Sequence, residues 1–165
     1  MIELEKKLLS IEEISEIINP LKNIGKIIVT TSGSFDILHS AHVHFLQKAK
    51  KEGDVLIVLL NTDSSIKRNK GEKRPIVPED ERAKMLVSLE CVDYVVIFNE
   101  DKPLKLLEMI KPNIHVKGGS FIPERIKEEK ELLDSWEGKY KTFELEEGYS
   151  TTNIIQTILE KYNNI

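Results

Sequence analysis

The sequence predicts an α/β fold with a doubly wound, five-stranded parallel sheet, and two observations carry that expectation. From residue 26 onward, short β-branched runs alternate with amphipathic helical stretches, an alternation that places helices between the strands of one sheet. The runs themselves are nearly continuous in Val, Ile and Leu, as strands covered on both faces must be. Right-handed crossovers then distribute the helices over both sides of the sheet. All 165 residues are expected to serve one domain, since no linker, internal repeat or low-complexity tract interrupts them.

Ser10, Ile11, Glu12 and Glu13 form a capping-box pattern, and Ile11, Ile14, Ile17, Ile18 and Leu21 follow on one helical face. A helix over residues 10–21 is therefore expected ahead of the sheet, closed by Pro20, which has no N–H to continue it. The five strands are expected at residues 26–30, 55–60, 94–98, 113–116 and 141–145. Helices follow them near residues 41–51, 78–89, 103–111, 123–135 and 152–162. Ligands of such sheets bind beyond the carboxyl ends of the strands. The loops to inspect therefore begin after Thr30, Leu60, Val116 and Leu145.

Lys and Arg number 24 against 28 Asp and Glu, a formal charge of −4. A surface of that sign disfavours polyanions, so nucleic acid is not an expected partner. A small phosphorylated ligand remains open, because backbone amides and a few placed cations make a pocket locally positive. The single cysteine, Cys91, admits no internal disulfide, and the opening M-I-E-L-E-K-K has no basic segment followed by an apolar one. A reducing, cytoplasmic setting is expected. The longest apolar runs, residues 55–60 and 95–98, fall far short of the roughly 20 residues that cross a bilayer, and no membrane partner is expected. The charge run at 127–131 reads as a solvated helix face.

The stretch Thr31-Ser32-Gly33-Ser34-Phe35-Asp36-Ile37-Leu38-His39-Ser40-Ala41-His42 ends where a helix should begin. Two imidazoles three residues apart at a helix start can face a ligand held by free N–H groups and the positive end of the dipole. His39 and His42 are thus candidate phosphate donors, or else ordinary polar residues near a helix start. No metal ligand set is expected, since no third His, Cys or carboxylate follows at a spacing suited to zinc. His44 is expected at the surface or in packing. After the second strand, Asn61-Thr62-Asp63 leads to Lys67, Arg68, Lys70, Lys73 and Arg74, five cations within eight residues. This run reads as a basic lid over phosphates or as a solvated loop. Lys117-Gly118-Gly119 would let the backbone approach a planar base and read its edge, or makes a tight turn. Ser150, Thr151 and Thr152 open the last helix; one hydroxyl should cap it, and the three together suit the outer phosphates of a nucleoside triphosphate.

Residues 33–42, G-S-F-D-I-L-H-S-A-H, match the pattern G-x-F-D-x-x-H-x-G-H of the cytidylyltransferase-like nucleotidylyltransferases at Gly33, Phe35, Asp36, His39 and His42. Ala41 replaces the last glycine of that pattern; its methyl would crowd the nucleotide, or strain the chain if φ were positive. Asn61-Thr62-Asp63, Lys70-Gly71, Arg74-Pro75-Ile76, Pro78 and Arg82 resemble the same family. Arg82 would reach phosphate, or pair with Glu79 or another carboxylate. The order of these strings, through V-K-G-G and E-G-Y-S-T-T, is most similar to the bacterial D-glycero-β-D-manno-heptose 1-phosphate adenylyltransferases, the ADP-heptose synthases, from about Leu9 onward. Leu145, Glu146 and Glu147 stand where glycerol-3-phosphate cytidylyltransferases usually carry an arginine.

The resemblance implies a Rossmann-like fold of the HxGH nucleotidylyltransferase type and transfer of a nucleotidyl group from ATP or another NTP to a sugar 1-phosphate. It implies catalysis by His39, His42 and Lys67. Nucleotide contacts would come from Ser34, Phe35, Asp36, His39, His42, Lys117, Gly118, Gly119, Ser150, Thr151 and Thr152. Asp36, Asn61, Asp63 and Arg68 would hold the sugar phosphate, and Mg²⁺ would accompany the triphosphate with few protein ligands. A homodimer is expected, because relatives are often dimers and the N-terminal helix offers an apolar face. The alternatives are a cytidylyltransferase for a polyol phosphate, an FMN adenylyltransferase, or a catalytically weakened nucleotide-binding protein, the last motivated only by Ala41. A chain of this length leaves no room for a fused sugar kinase, so a separate enzyme is expected to make the sugar 1-phosphate.

Overall fold

Six parallel strands form one sheet in the order β1-β4-β3-β2-β5-β6, in a computed structural model that describes residues 4–119, 123–144 and 148–162. A 3₁₀ turn, Leu4–Lys7, leads into β1 (Leu8–Leu9), α1 (Ile11–Asn23), β2 (Ile28–Gly33), α2 (Ser40–Lys50) and β3 (Val55–Asn61). Then come α3 (Asp63–Lys70), α4 (Glu79–Val87), β4 (Tyr94–Phe98), α5 (Leu104–Ile110), β5 (Ile114–Gly118), α6 (Pro123–Asp134), β6 (Lys139–Phe143) and α7 (Thr151–Tyr162).

The near-continuous apolar strands divide their side chains between two cores, as the two-residue period of a strand requires. From β3, Leu56, Val58 and Leu60 join Phe45, Leu46 and Leu86 on one side. Ile57 and Leu59 join Ile14, Ile18, Leu107 and Leu133 on the other. The chain builds outward from β2 through β3 to β4, then returns to place β5 on the free side of β2. That reversal opens a crevice between the carboxyl ends of β2 and β5, the usual ligand position in a sheet of this kind.

Several expectations change. The sheet has six strands instead of five, because β1, two residues pairing Leu8 with Val95 and Leu9 with Val96, is too short to show a period. The first expected strand starts later and runs further, at 28–33, since the Ile27 N–H is taken by the Asp54 carboxylate at 2.8 Å. The last is Lys139–Phe143; Leu145 lies outside the described residues. The capping box at Ser10 and Glu13 is formed, but Pro20 sits inside α1 instead of closing it. A proline forfeits one bond to the preceding turn, whereas the stop comes at Gly25, whose φ is +80°.

Helix α3 occupies a segment expected as loop, with Thr62 as N-cap accepting from the Ser65 N–H at 3.1 Å. Leu59, fully buried at 0% exposure in the inner strand β3, makes the core testable. Leu59→Ala should lower stability by about 2–5 kcal/mol, measured as a reduced urea midpoint.

Candidate functional site

Strand β2 delivers the chain into a loop whose backbone is held against its own preference. Phe35 (φ 44°) and Ile37 (φ 49°) flank Asp36 in the left-handed region, where a non-glycine residue persists only if its surroundings hold it. Asp36 is the hold. Its carboxylate, 1% exposed, accepts from Arg74 Nε at 2.6 Å and from the N–H groups of Ile76 and Val77 at 3.0 and 2.9 Å. Its carbonyl accepts from Thr151 Oγ1 at 2.6 Å. Burial pushes the Asp36 carboxyl up, but the two backbone donors and Arg74 outweigh it and hold the group below the ordinary value. The Phe35 ring packs over Gly33, where an added Cβ would meet it at 3.1 Å.

The loop ends at His39, the N-cap residue of α2, in extended conformation (φ −138°, ψ 171°) and without a side-chain cap bond. His42 lies in the first turn, its ring stacked on that of His39 at 3.8 Å between centroids and 5.4 Å from that of Phe35. Both Nδ1 atoms are buried without a hydrogen-bond partner. Burial lowers the pKa of His39, and burial together with His39 and Lys70 brings His42 down to about 4. The histidines are therefore neutral at pH 7. What they offer is one N–H each, beside the free amides of a helix start. Ala41, buried as the second residue of α2, is absent from the left-handed positions, so it carries no backbone strain.

The cations divide into spent and available. Arg74 is bound to Asp36. Arg82 is 1% exposed and gives Nη2 to Asp63 at 2.6 Å, Nη1 to the Ser34 and Asn61 carbonyls at 2.7 and 2.9 Å, and Nε to Val77 O at 2.9 Å. Of the two roles open to Arg82, the structure shows the carboxylate pair. Lys70, at the end of α3, donates to Ser34 Oγ at 2.8 Å and has no carboxylate within ion-pair distance among the described residues. Lys117 Nζ donates to Ser32 Oγ at 2.5 Å. Burial lowers both lysines, and each also repels a neighbouring cation or meets a carboxylate: Arg74, Lys117 and Arg82 depress Lys70, while Glu129 raises Lys117.

The remaining site expectations are placed as follows. Lys67 is exposed on α3, and from that helix it is Lys70 that touches the first loop. Arg68 binds Asp101 at 2.8 Å and the Asn99 carbonyl, at the end of β4. Asn61 Nδ2 donates to Ser65 Oγ at 3.0 Å. Gly118 ends β5, and Gly119, at φ +111°, donates to the Phe143 carbonyl at 3.1 Å. Ser150 Oγ accepts the Asn153 N–H at 3.1 Å and so caps α7, which leaves Thr152 exposed in its first turn. Ser120 and Phe121, beside the glycines, lie outside the described residues.

Sequence reasoning did not single out a polar cluster beneath Lys117. Glu129 of α6, 3% exposed, accepts from Tyr140 Oη at 3.1 Å, with His115 Nε2 at 3.6 Å and Lys117 Nζ at 3.8 Å. The charge run that reads as a solvated face hid the inward-facing member.

A separate concavity of about 440 Å³ lies at the opposite edge of the sheet, lined among others by Lys22, Lys111, Trp136 and Lys139. Lys22 there donates to the Ile110 and Lys111 carbonyls, so its charge serves the C-terminus of α5. Among the described residues no group of three or more His, Cys, Asp or Glu side chains converges, and no helix is long and apolar enough to cross a membrane.

A family model described as cytidylyltransferase-like matches residues 30–157. The chain is 48% identical over 158 residues to the bifunctional protein HldE of Geobacter metallireducens, covering 96% of this chain and 32% of that protein. The protein of the same name from Helicobacter pylori strain J99 is 49% identical over 159 residues, again 96% and 32%. The chain thus spans 32% of the length of these curated relatives. Among solved structures it is similar to the lipopolysaccharide core biosynthesis protein of Thermoplasma volcanium, with a TM-score of 0.61 and 30% identity over 76% of this chain and 100% of that one. Pantoate–β-alanine ligase from Francisella tularensis shares the fold alone, with a TM-score of 0.63 and 18% identity over 96% and 78% of the two chains.

Two measurements test the site's electrostatics. Unfolded His42 takes a proton near pH 6.5 but the folded residue not until about 4, so its imidazole resonances should stay flat from pH 8 to about 5.5 while stability declines below pH 6.5. Asp36→Asn should cost about 2–5 kcal/mol at neutral pH. That difference should shrink as pH falls through the lowered Asp36 pKa, where the native carboxylate itself protonates. Urea titrations of the two proteins across pH 2–7 check it.

Proposed function

The chain belongs to the cytidylyltransferase-like family, and on that premise we propose that it is an adenylyltransferase that passes AMP from ATP to a sugar 1-phosphate, heptose 1-phosphate by preference. The observation that carries this reading is the grouping of Lys70, Lys117 and the stacked His39 and His42 at the carboxyl ends of β2 and β5 and the start of α2. Hydrogen-bond donors outnumber acceptors there, in the crevice where such sheets take nucleotides. The relatives at 48–49% identity support the acceptor class.

In the proposed reaction an oxygen of the sugar phosphate attacks the α-phosphorus of ATP. The bond to the bridging oxygen breaks, and pyrophosphate leaves with the electron pair. The attacking oxygen is already anionic, so the protein needs no strong base or covalent intermediate; placement and charge stabilisation supply the rate. His39 and His42 would donate to the α- and β-phosphates from the start of α2. Lys70 would support the departing pyrophosphate, the role expected of Lys67, while Thr152 and the first amides of α7 would hold the triphosphate tail. Gly118 and Gly119 leave backbone edges for the base. Magnesium would neutralise part of the triphosphate charge when bound. The Asp36 oxygens are already taken by three donors, so the metal would ride on the nucleotide.

The regular helical placement of Ala41 removes backbone strain as a motive for a weakened, binding-only protein. The apolar face of α1 is spent on the chain's own core through Ile14 and Ile18, so it is not the dimer surface. Helix α7 instead leaves Ile158, Leu159 and Tyr162 exposed, and a homodimer would form there, in a cytoplasmic enzyme. Sedimentation of the wild type against Leu159→Glu checks that assembly: a dimer for the first and a monomer for the second.

Pyrophosphate release from ATP or CTP, paired with heptose 1-phosphate, glycerol 3-phosphate or FMN, tests the reaction. ATP with the heptose phosphate should be preferred, and turnover of CTP with glycerol phosphate alone would overturn it. His42→Ala should cut kcat by about 10²- to 10³-fold. Arg68→Ala, which removes an exposed pair with Asp101 and a bond to the Asn99 carbonyl, should stay within about threefold, since such exposed contacts contribute little.

A further inference from the structure

We propose that Glu129 is a positioning residue for this site: its buried carboxylate holds the Lys117 ammonium at the end of β5 against Ser32, in the crevice where the triphosphate would lie. The inference rests on the adenylyltransferase reading for its consequence, but not for its geometry.

The register of the sheet sets the cluster. Thr30 pairs with His115 across β2 and β5, and His115 with Tyr140 across β5 and β6, so these side chains share the sheet face that α6 covers. From α6, Glu129 reaches down among them. Taking a carboxylate out of water costs several kcal/mol, and an apolar residue there would hold α6 to the sheet more cheaply. His115 returns no charge, since burial lowers its pKa well below the ordinary value, and its Nδ1 is engaged with Thr30 Oγ1 at 2.8 Å. Tyr140 gives one neutral hydrogen bond. The positive partner is therefore Lys117, 3.8 Å away, whose other contacts are the hydroxyl and carbonyl of Ser32.

Lys117 is a half-buried ammonium under opposing pressure. Burial favours its neutral form, Lys70 of α3 lies close enough for the two charges to repel, and Glu129 opposes both. Ser32 immediately precedes the Gly33-Ser34 turn into the histidine loop. Glu129 thus acts on the site at one remove, through the position and charge of a lysine, without reaching the nucleotide.

The test compares wild type with Glu129→Gln, which keeps shape and the tyrosine bond but removes the charge. An opposite charge at this range shifts a pKa by about 1–3 units. The alkaline limb of kcat/KM for ATP should therefore move down by at least about one pH unit, with activity at pH 6.5 within about threefold of wild type. ¹³C NMR of the Lys117 side chain, without substrate, should show the same downward move in its titration. If the NMR titration moves and no substrate pair turns over, the adenylyltransferase reading fails while the Glu129–Lys117 coupling stands. If the titration does not move, or the loss of activity is equal at every pH, the proposal is overturned. Should Glu129→Gln not fold, Glu129→Asp, with its shorter reach to Lys117, should show the same downward shift to a smaller extent, and an unshifted profile there also overturns it.

Discussion

The Asp36 carboxylate is the contact on which the rest of the site depends. Asp36 joins three stretches of chain distant in sequence: its own loop after β2, residues 74–77, and, through its main-chain carbonyl, Thr151 at the start of α7. Two left-handed residues on either side of it would relax into other conformations without these bonds. A carboxylate held by three donors is a poor ligand for anything else, so the role of Asp36 is to make the loop rigid. That rigidity places His39 at the cap of α2, within stacking distance of His42.

The charge distribution follows from a similar division of labour. Asp36 and Asp63 are consumed by Arg74 and Arg82, and those arginines serve structure. The Arg82 guanidinium ties the ends of β2 and β3 to the segment before α4 through three carbonyls. Lys70 and Lys117 remain, resting on the hydroxyls of Ser34 and Ser32. In a chain with a net charge of −4, the two lysines thus keep their place in the crevice while Asp36 and Asp63 serve the arginines and Glu129 of α6 stands 3.8 Å from Lys117.

Much of this was legible in the sequence, for reasons that differ by element. The Val55–Asn61 strand announced itself because full burial demands an unbroken apolar run, and the helix start at His39 because motif and amphipathic pattern coincide there. The helix Asp63–Lys70 was not legible. Its composition is almost wholly polar, and only Ser65 and Ile66 are buried, so no period marks it. The resemblance pointed to Lys67, but on a helix Lys67 and the loop-contacting Lys70 are distinguished by turn geometry, which composition does not show. Arg82 offered two roles in the sequence because the choice depends on Asp63, nineteen positions away, a pairing no local pattern encodes. Glu129 was hidden for a further reason: it belongs to a charged helix, on the inward face it shares with the buried Leu133.

The neutrality of the histidines bears on how such a site would accelerate phosphoryl transfer. A fixed cation binds a triphosphate strongly before anything has reacted, and attraction shared equally by substrate and transition state does not raise kcat. A neutral N–H aimed from a rigid helix start gains most as charge builds on the phosphate oxygens it faces. Burial that brings His42 down to about 4 would therefore separate two tasks in the proposed reaction: the lysines would supply long-range attraction for the nucleotide, and the imidazoles short-range stabilisation that grows along the reaction. The stacking of the two rings at 3.8 Å reinforces this, because two imidazolium ions at that distance would repel, and His39 is one of the groups that lower the His42 pKa.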